Sequence, residues 1–305
     1  MSRRLFTLGN ASLPLAFVSL ALTLTTSAVL AAPRIPTTTR PPTTTRPPTS
    51  TTVPGDQPIN FIGQCPYSHS APDDPIVHPN MPGASHLHDF FGNRTTNGAS
   101  TYDTMLAGTS TCVRPGEKAG YWVPALYKAG VKVQPIRMSI YYFQGQLPNS
   151  SITPFPAGLK LVAGSASATT PQGSTIVTWS CDTHGDLALS PMTSETPPTC
   201  PVGQNLKGHV KFPNCWDGAS LDSPDHKSHL AYAVRGACPA SHPVAVPKIQ
   251  LNIFYPISGD PSDLSLASGN LNSLHGDFFN TWVQSDLERL VNTCIVPDIH
   301  CDARA

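Results

Sequence analysis

Two segments of the chain alternate apolar and polar residues with a period of two. They cover residues 137–142 and 248–255. Such alternation is typical of β-strands that bury one face. Weaker strand patterns occupy residues 159–162, 175–180, 209–212 and 229–235, and Pro- and Gly-rich turns separate them. The pattern predicts a mainly β protein with many short strands.

A helical pattern is clearest near the end of the chain. Apolar residues recur at helical spacing from Leu287 to Cys294, and Ser285 precedes Glu288 by three positions, which is the signature of a capping box. Short strands, long loops and one C-terminal helix together predict a single domain with a β-sandwich or jelly-roll-like body.

The first residues of the chain have the features of a secretory signal peptide. Arg3 and Arg4 precede an apolar stretch at residues 13–24, and a pattern of small residues ends at Ala31. We therefore assign residues 1–31 to a signal peptide and expect a secreted protein that can stay associated with the cell surface. The alternative is an uncleaved membrane anchor, because the apolar run and the small residues after it extend over about 20 positions.

The signal segment is followed by a segment of very biased composition. From Pro33 to Pro54 the chain is almost entirely Pro and Thr. Such a segment buries too little apolar surface to offset its ordering entropy, and it favours an extended, polyproline-like conformation. We therefore expect residues 32–56 to be a disordered linker that holds the domain away from a surface or keeps it soluble.

The remaining residues, 57–305, are enough for one large domain. The net charge of the whole chain is zero, but five of its 19 basic residues and one of its 19 acidic residues precede residue 57, which leaves 14 basic and 18 acidic residues in the domain. This acidic balance disfavours a nucleic-acid partner. Because no basic amphipathic stretch suits a membrane surface, we expect membrane contact only through an uncleaved signal segment, and we expect a monomer.

All eight cysteines lie within the domain. An even number in an exported chain predicts disulfides, although four bridges can connect in 105 ways. Closure of the shortest loops favours the pairs Cys65–Cys112, Cys181–Cys200, Cys215–Cys238 and Cys294–Cys301. A zinc site built from cysteines would need CxxC-type spacing, which the chain lacks.

Histidine and aspartate residues concentrate in clusters at residues 83–92, 217–229 and 275–277. If residues 86–89 form a strand, the two histidines at positions 86 and 88 share one face and the next residue, Asp89, faces away. The candidate catalytic residues are His86, His88, Asp89, Asp217, Asp222, Asp225, His226, His229, His275 and Asp277. The alternatives are hydrogen-bonded loop histidines and aspartates that close Asx turns.

Four aromatic residues near these clusters are candidates for stacking on sugar rings. They are Tyr121, Trp122, Trp216 and Trp282. Taken one at a time, packing in the core is the stronger interpretation for each of them.

At these positions the chain resembles the secreted proteins that carry the domain of unknown function DUF1996, found in fungi and actinobacteria. The resemblance extends through residues 74–77, 83–93, 121–127, 214–218, 221–232, 238–244 and 275–282, and so covers essentially all of the domain. It implies a secreted single domain that occurs in other members beside wall-binding or carbohydrate-binding modules. It implies no established reaction.

Three functions are consistent with the sequence. The first is a hydrolase or lyase that acts on an extracellular polysaccharide of a cell wall or of biomass, without a cofactor, through His and Asp acid/base groups. The second is a metalloenzyme whose ligands are His86, His88 and one of His226, His229 or His275, with His226 as the simplest third ligand. The third is a non-catalytic protein that binds a cell wall or another glycan.

The signal-peptide assignment predicts that the mature chain begins at Ala32, because cleavage one residue later would leave Pro33 in the first position. We expect the intact mass of the protein collected from culture medium to show the loss of residues 1–31. A chain that keeps these residues and partitions with membranes would instead support the anchor.

Overall fold

The computed structural model describes residues 59–182 and 193–302. The predicted signal peptide and linker lie outside the described residues. Among the residues that the structure describes, no helix combines the length and the apolar character needed to cross a membrane.

The described residues are mainly β-strand, as the sequence predicts. In chain order the described strands are β1 (Phe61–Ala71), β2 (His88–Gly92), β3 (Gly120–Pro124), β4 (Leu126–Lys128), β5 (Val131–Val133), β6 (Arg137–Phe143), β7 (Lys160–Gly164), β8 (Val177–Asp182), β9 (Asn205–Lys211), β10 (Cys215–Trp216), β11 (Leu230–Ala231), β12 (Val244–Ala245), β13 (Lys248–Tyr255), β14 (Leu264–Leu266) and β15 (His275–Phe279). The described helices are α1 (Tyr102–Ala107) and α2 (Gln284–Leu290).

One large antiparallel sheet forms the body of the protein. Within the described residues its strand order is β7-β15-β3-β2-β1-β6-β13-β9-β8. Strand β1 is long enough to pair with β6 through residues 61–66 and with β2 through residues 67–71, and the register shifts between Tyr67 and His69. A strand that changes partners at such an irregularity lets one sheet fold into two facing halves. The predicted sandwich-like body is therefore made from a single, nearly closed sheet.

The apolar side chains of the two alternating segments fill the space between the halves. Ile140 of β6 and Leu251 of β13 are fully buried in the main core. On the facing half, Gly276 of β15 lies so close that an added Cβ would be 3.0 Å from Leu251 and 3.2 Å from Val210. A side chain at this position would push these neighbours aside, so the glycine lets the two halves pack closely.

The other face of these strands is not exposed, which differs from the half-buried strands that the alternation predicts. Tyr141 is 1 % exposed and packs with Ile62 and Phe143 in a small separate cluster. A tyrosine counts as a polar member of an alternating pattern, yet its ring has enough apolar area to pack on a covered face.

The C-terminal helix begins at Gln284, and its apolar positions face the core as predicted. Leu287 and Leu290 are buried, and so is Cys294 in the π-helical turn Val291–Ile295 that continues the helix. The predicted capping box is wrong: Val283 is the N-cap and Ser285 lies inside the first turn, where it cannot cap.

The sequence pattern did not predict α1, which has only six residues and is capped by Thr101 and Thr104. A six-residue helix is too short for its periodicity to be recognised.

The four predicted disulfides are all present among the described residues. Each joins cysteines that are neighbours in sequence order, so each bridge closes a loop without crossing another. Two of the bridges join a strand to a later loop: Cys65 of β1 binds Cys112, and Cys215 of β10 binds Cys238. Covalent closure of these loops reduces the entropy of the unfolded chain.

Because this entropy depends on loop length, the bridges should differ in their contribution to stability. Sequence separations are 47 residues for Cys65–Cys112 and 7 residues for Cys294–Cys301. We expect replacement of the first pair by alanine to lower the free energy of unfolding by about 4 kcal/mol and replacement of the second by about 2.5 kcal/mol. Guanidinium unfolding of both variants measures the difference, and the reverse order would contradict loop entropy as its cause.

Candidate functional site

The candidate site lies on the outer face of the half-sheet formed by β7, β15, β3 and β2. His88 begins β2 and pairs with Pro124 of β3. Asp277 of β15 pairs with Trp122 of β3. Because the two strands are antiparallel, His275, two residues before Asp277, lies opposite Pro124, two residues after Trp122. The two histidines therefore lie in one row on either side of Pro124, about 10 Å apart along the sheet. Long side chains on the same face can meet across that distance.

Three imidazole rings converge over this row. The ring centroids of His86 and His88 are 4.2 Å apart, those of His86 and His275 are 5.0 Å apart, and those of His88 and His275 are 5.5 Å apart. One ring nitrogen from each residue can be chosen so that all three lie within 4.8 Å of one another. These atoms could hold a metal ion.

Hydrogen bonds determine which nitrogen of each buried ring carries the proton. Nδ1 of His88 bonds the carbonyl oxygen of Asp73 at 2.9 Å, and Nδ1 of His275 bonds that of Ser273 at 2.8 Å. A carbonyl oxygen only accepts, so each Nδ1 must donate its N–H. Burial lowers the pKa of His275 to about 4 and that of His88 well below its usual value, with nearby histidines acting in the same direction on both. Both Nε2 atoms thus present lone pairs, and they are 3.3 Å apart.

Two buried carboxyl groups lie beside the rings. Asp277 is fully buried, and neither of its oxygens has a hydrogen-bond partner among the described residues. Burial, reinforced by the nearby charge of Asp74, raises the pKa of Asp277 well above its usual value. Burial also raises the pKa of Asp74, although its Oδ1 accepts the N–H groups of Ile76 and Val77. Ligand atoms of Asp74, His88 and Asp277 lie within 4.8 Å of one another.

A cavity of about 250 Å³ opens above these groups. It brings together residues from the connection between β1 and β2, from the end of β7, from the loop after β10 and from β15. Its lining consists of Asp74, Val77, His78, Ser85, His86, Val162, Gly164, Ala166, Asp225, His226, Lys227, His275 and Asp277. The third imidazole of the cluster is thus His275, and His226 lies on the cavity wall.

Two predicted catalytic aspartates instead close turns. Oδ1 of Asp217 accepts the backbone N–H groups of Ala219 and Ser220 at 2.8 and 2.9 Å. Oδ1 of Asp225 accepts both the N–H and the hydroxyl of Ser228, and these bonds lower the pKa of Asp225. Asx turns of this kind engage one carboxylate oxygen with its own loop. Asp217 does not line the cavity, whereas Asp225 does.

Asp222 and His226 form a hydrogen-bonded pair beside the cavity, whereas His229 has a structural role. Nδ1 of His226 donates to Oδ1 of Asp222 at 2.9 Å, and the other oxygen of Asp222 binds Lys160 at 3.2 Å. His226 has a φ of 59°, a strained conformation for a residue with a side chain. His229 is buried and bonds Ser223 through Nδ1 and the carbonyl of Lys160 through Nε2, which leaves no nitrogen for chemistry.

Asp89 is not part of the site. It points to the opposite face of β2 from His88, as strand alternation predicts, and is fully buried. Its Oδ1 accepts the hydroxyl of Ser70 at 2.6 Å and binds Lys132 at 2.8 Å. The predicted catalytic role for Asp89 is therefore corrected to a buried ion pair.

The predicted sugar-stacking aromatics are largely core residues. Tyr121, Trp122 and Trp282 are fully buried, so their faces are covered by other side chains and cannot contact a ligand. Trp216 is partly buried, donates its indole N–H to the carbonyl of Ser220 and does not line the cavity. Core packing is the correct interpretation for the first three.

Asp74 is a site residue that the sequence pattern did not predict. The Asp-Pro-Ile segment at residues 74–76 looks like an ordinary Asx turn, and the carboxylate does form that turn. Only the fold shows that the same group also lies within 4.8 Å of His88 and Asp277. A signal was available in the sequence, since Asp74 begins the first segment that carries the family resemblance.

Fold and site together define a mainly β protein, crosslinked by disulfides, with imidazole and carboxyl groups buried under a small cavity. Comparison with known families matches residues 74–282 to DUF1996, a domain of unknown function. The chain belongs to this family, and the matched region includes every residue that lines the cavity. No curated protein and no solved structure matches the chain.

His209 offers a contrast, because it is a buried histidine with satisfied nitrogens outside the cavity. Its Nδ1 bonds Asn252 at 2.5 Å, its Nε2 bonds Ser180 at 2.8 Å, and burial lowers its pKa to about 3. Since the unfolded chain binds a proton at a pKa near 6.5, the stability that the neutral imidazole provides is complete above that pH and is lost as the pH falls.

We therefore expect His209→Gln to make the free energy of unfolding less dependent on pH in the acidic range. Between pH 6 and 4 the variant should lose about 1.4 kcal/mol less of its unfolding free energy per pH unit than the parent does. Urea unfolding at a series of pH values measures both slopes. Equal slopes would show that His209 is not a buried neutral group.

Proposed function

We propose that this protein is a secreted enzyme, a hydrolase or lyase that cleaves an extracellular polysaccharide in the cavity above His86, His275 and Asp277. The observation that carries the proposal is a set of buried polar atoms without partners at one place. Nε2 of His86 and both oxygens of Asp277 have none among the described residues. These atoms border a cavity that is large enough to admit a ligand.

This observation favours catalysis over a purely structural network. A buried polar group without a partner destabilises the fold by about 1–3 kcal/mol. Elsewhere in the chain, buried histidines such as His209 and His229 use both ring nitrogens in hydrogen bonds. Unsatisfied and electrostatically perturbed groups that cluster in a cleft are typical of functional sites.

The cavity also offers a group for proton transfer. In the Asp222–His226 pair the carboxylate orients the imidazole through Nδ1, which leaves Nε2 for exchange with a substrate or water. Lys160 in turn holds Asp222, so the pair is fixed to β7. The left-handed backbone of His226 adds support, because strained conformations persist where function requires a side chain in one position.

Three features support a polysaccharide as the substrate. Asp74 and Asp277 both bring carboxyl groups to the cavity, and hydrolysis of a glycosidic bond commonly uses two carboxyl groups. A cavity of about 250 Å³ is smaller than the ~300–1,000 Å³ of sites for drug-sized ligands, so it suits one or two sugar units of a longer chain. Four disulfides are consistent with an exported protein, whose substrates lie outside the cell.

The test is release of soluble sugars from cell-wall and biomass polysaccharides by the purified protein. We expect His226→Gln and Asp277→Asn each to lower kcat at least about 100-fold, because each removes a group that transfers a proton or contacts the reacting bond. His300→Gln is the matched control, since His300 lies outside the cavity and bonds the backbone of Ile59.

Circular dichroism and the unfolding midpoint establish that each variant is folded. A parent protein that binds insoluble polysaccharide but releases no product from any preparation would overturn the enzyme proposal and support a non-catalytic glycan-binding protein. Full activity in both folded variants would show that the active site does not lie in this cavity.

A further inference from the structure

The two most buried imidazoles of the cavity face each other in a way that requires a positive group between them. Their Nδ1 atoms donate to backbone carbonyls, so neither Nε2 carries a hydrogen, yet the Nε2 atoms of His88 and His275 are 3.3 Å apart. Two lone pairs at this distance repel each other. A shared proton or a metal ion between them would turn the repulsion into attraction.

The spacing favours a metal ion in tetrahedral coordination. Two nitrogens that each lie 2.0–2.1 Å from a tetrahedral zinc ion are about 3.3–3.4 Å apart. The observed Nε2–Nε2 distance of 3.3 Å matches this value. Neighbouring ligands of an octahedral ion at the same bond length would be closer, at about 3.0 Å.

The surroundings of the rings are those of metal ligands. Histidines that bind a metal through one nitrogen usually donate the other N–H to a carbonyl or carboxylate, which fixes the tautomer and the direction of the ring. His88 and His275 both have this arrangement. His86 supplies the third nitrogen. Its Nε2 has no hydrogen-bond partner within the described residues, and one of its ring nitrogens lies within 4.8 Å of a ring nitrogen of each of the other two histidines.

The carboxyl groups beside the rings also favour a bound cation. Asp74 and Asp277 lie within 4.8 Å of His88, and Asp277 has no other partner in the part of the chain that the structure describes. A divalent cation bound by the rings would lie beside these carboxyl oxygens. Such a cation would also satisfy buried oxygens that are otherwise costly. Nitrogen and oxygen ligands without thiolates are typical of zinc and other divalent first-row transition metals.

We propose that His86, His88 and His275 bind one divalent transition-metal ion, best matched by zinc, and that its fourth position faces the cavity. Three histidines with an open fourth position form the arrangement of catalytic rather than structural zinc sites. Asp277 lines the same cavity. The inference deepens the proposed function in its chemistry, but the metal site rests on its own geometry.

The test is binding of inorganic Zn²⁺ to the chelator-treated full-length protein, followed by calorimetry, with Co²⁺ as a spectroscopic probe. We expect one equivalent of Zn²⁺ and the strong visible absorption of tetrahedral Co²⁺. His275→Gln and His86→Gln should each weaken binding at least about 100-fold, because each removes one of the three protein ligands. His226→Gln and His209→Gln are controls that should keep one equivalent, since neither supplies a ligand.

His86→Gln keeps the experiment interpretable if the loss of a fully buried histidine unfolds the chain, because His86 is only half buried. The proposal is overturned if the folded parent binds less than about a tenth of an equivalent of Zn²⁺, as a shared proton would predict. It is also overturned if folded His86→Gln and His275→Gln bind like the parent. Zn²⁺ binding without release of sugars would contradict only the polysaccharide proposal, whereas release of sugars by metal-free protein would contradict only a catalytic role for the metal.

Discussion

The register of three antiparallel strands is the constraint on which the site depends. β2 and β15 both pair with β3, and this pairing brings His88 and His275 into one row with Pro124 between them. Proline has no N–H and a compact ring, so the row is open enough for the two imidazoles to meet above it. Because side chains alternate along a strand, a slip by one residue would turn the row to the other face and separate the rings.

The large sheet holds this register in place through its own closure. β1 pairs with β2 on one side and with β6 on the other, so the half-sheet that carries the site is continuous with the half that contains β6 and β13. Gly276, between the two site residues of β15, lets the halves approach to contact distance. The residue that closes the core thus lies between His275 and Asp277, and packing of the core determines the position of both side chains.

Hydrogen-bond partners distinguish the histidines of the site from those of the framework. His209 and His229 use both ring nitrogens within the fold, as buried polar groups normally do. The three clustered imidazoles have nitrogens directed at one another or without a partner in the described structure. Such groups destabilise the folded state, and contacts with a bound cation or substrate offset this destabilisation.

Local patterns in the sequence were sufficient for the strands at residues 137–143 and 248–255, for the apolar face of α2 and for the four disulfides, because periodicity and short loop closure are properties of neighbouring residues. They also placed Asp89 on the opposite face from His88. Only the tertiary structure decided that His275 rather than His226 completes the imidazole cluster and that Asp74 joins it, since contacts between distant segments depend on strand register and sheet closure. It likewise decided that Trp122 is covered, because burial of an aromatic ring is set by what packs on it.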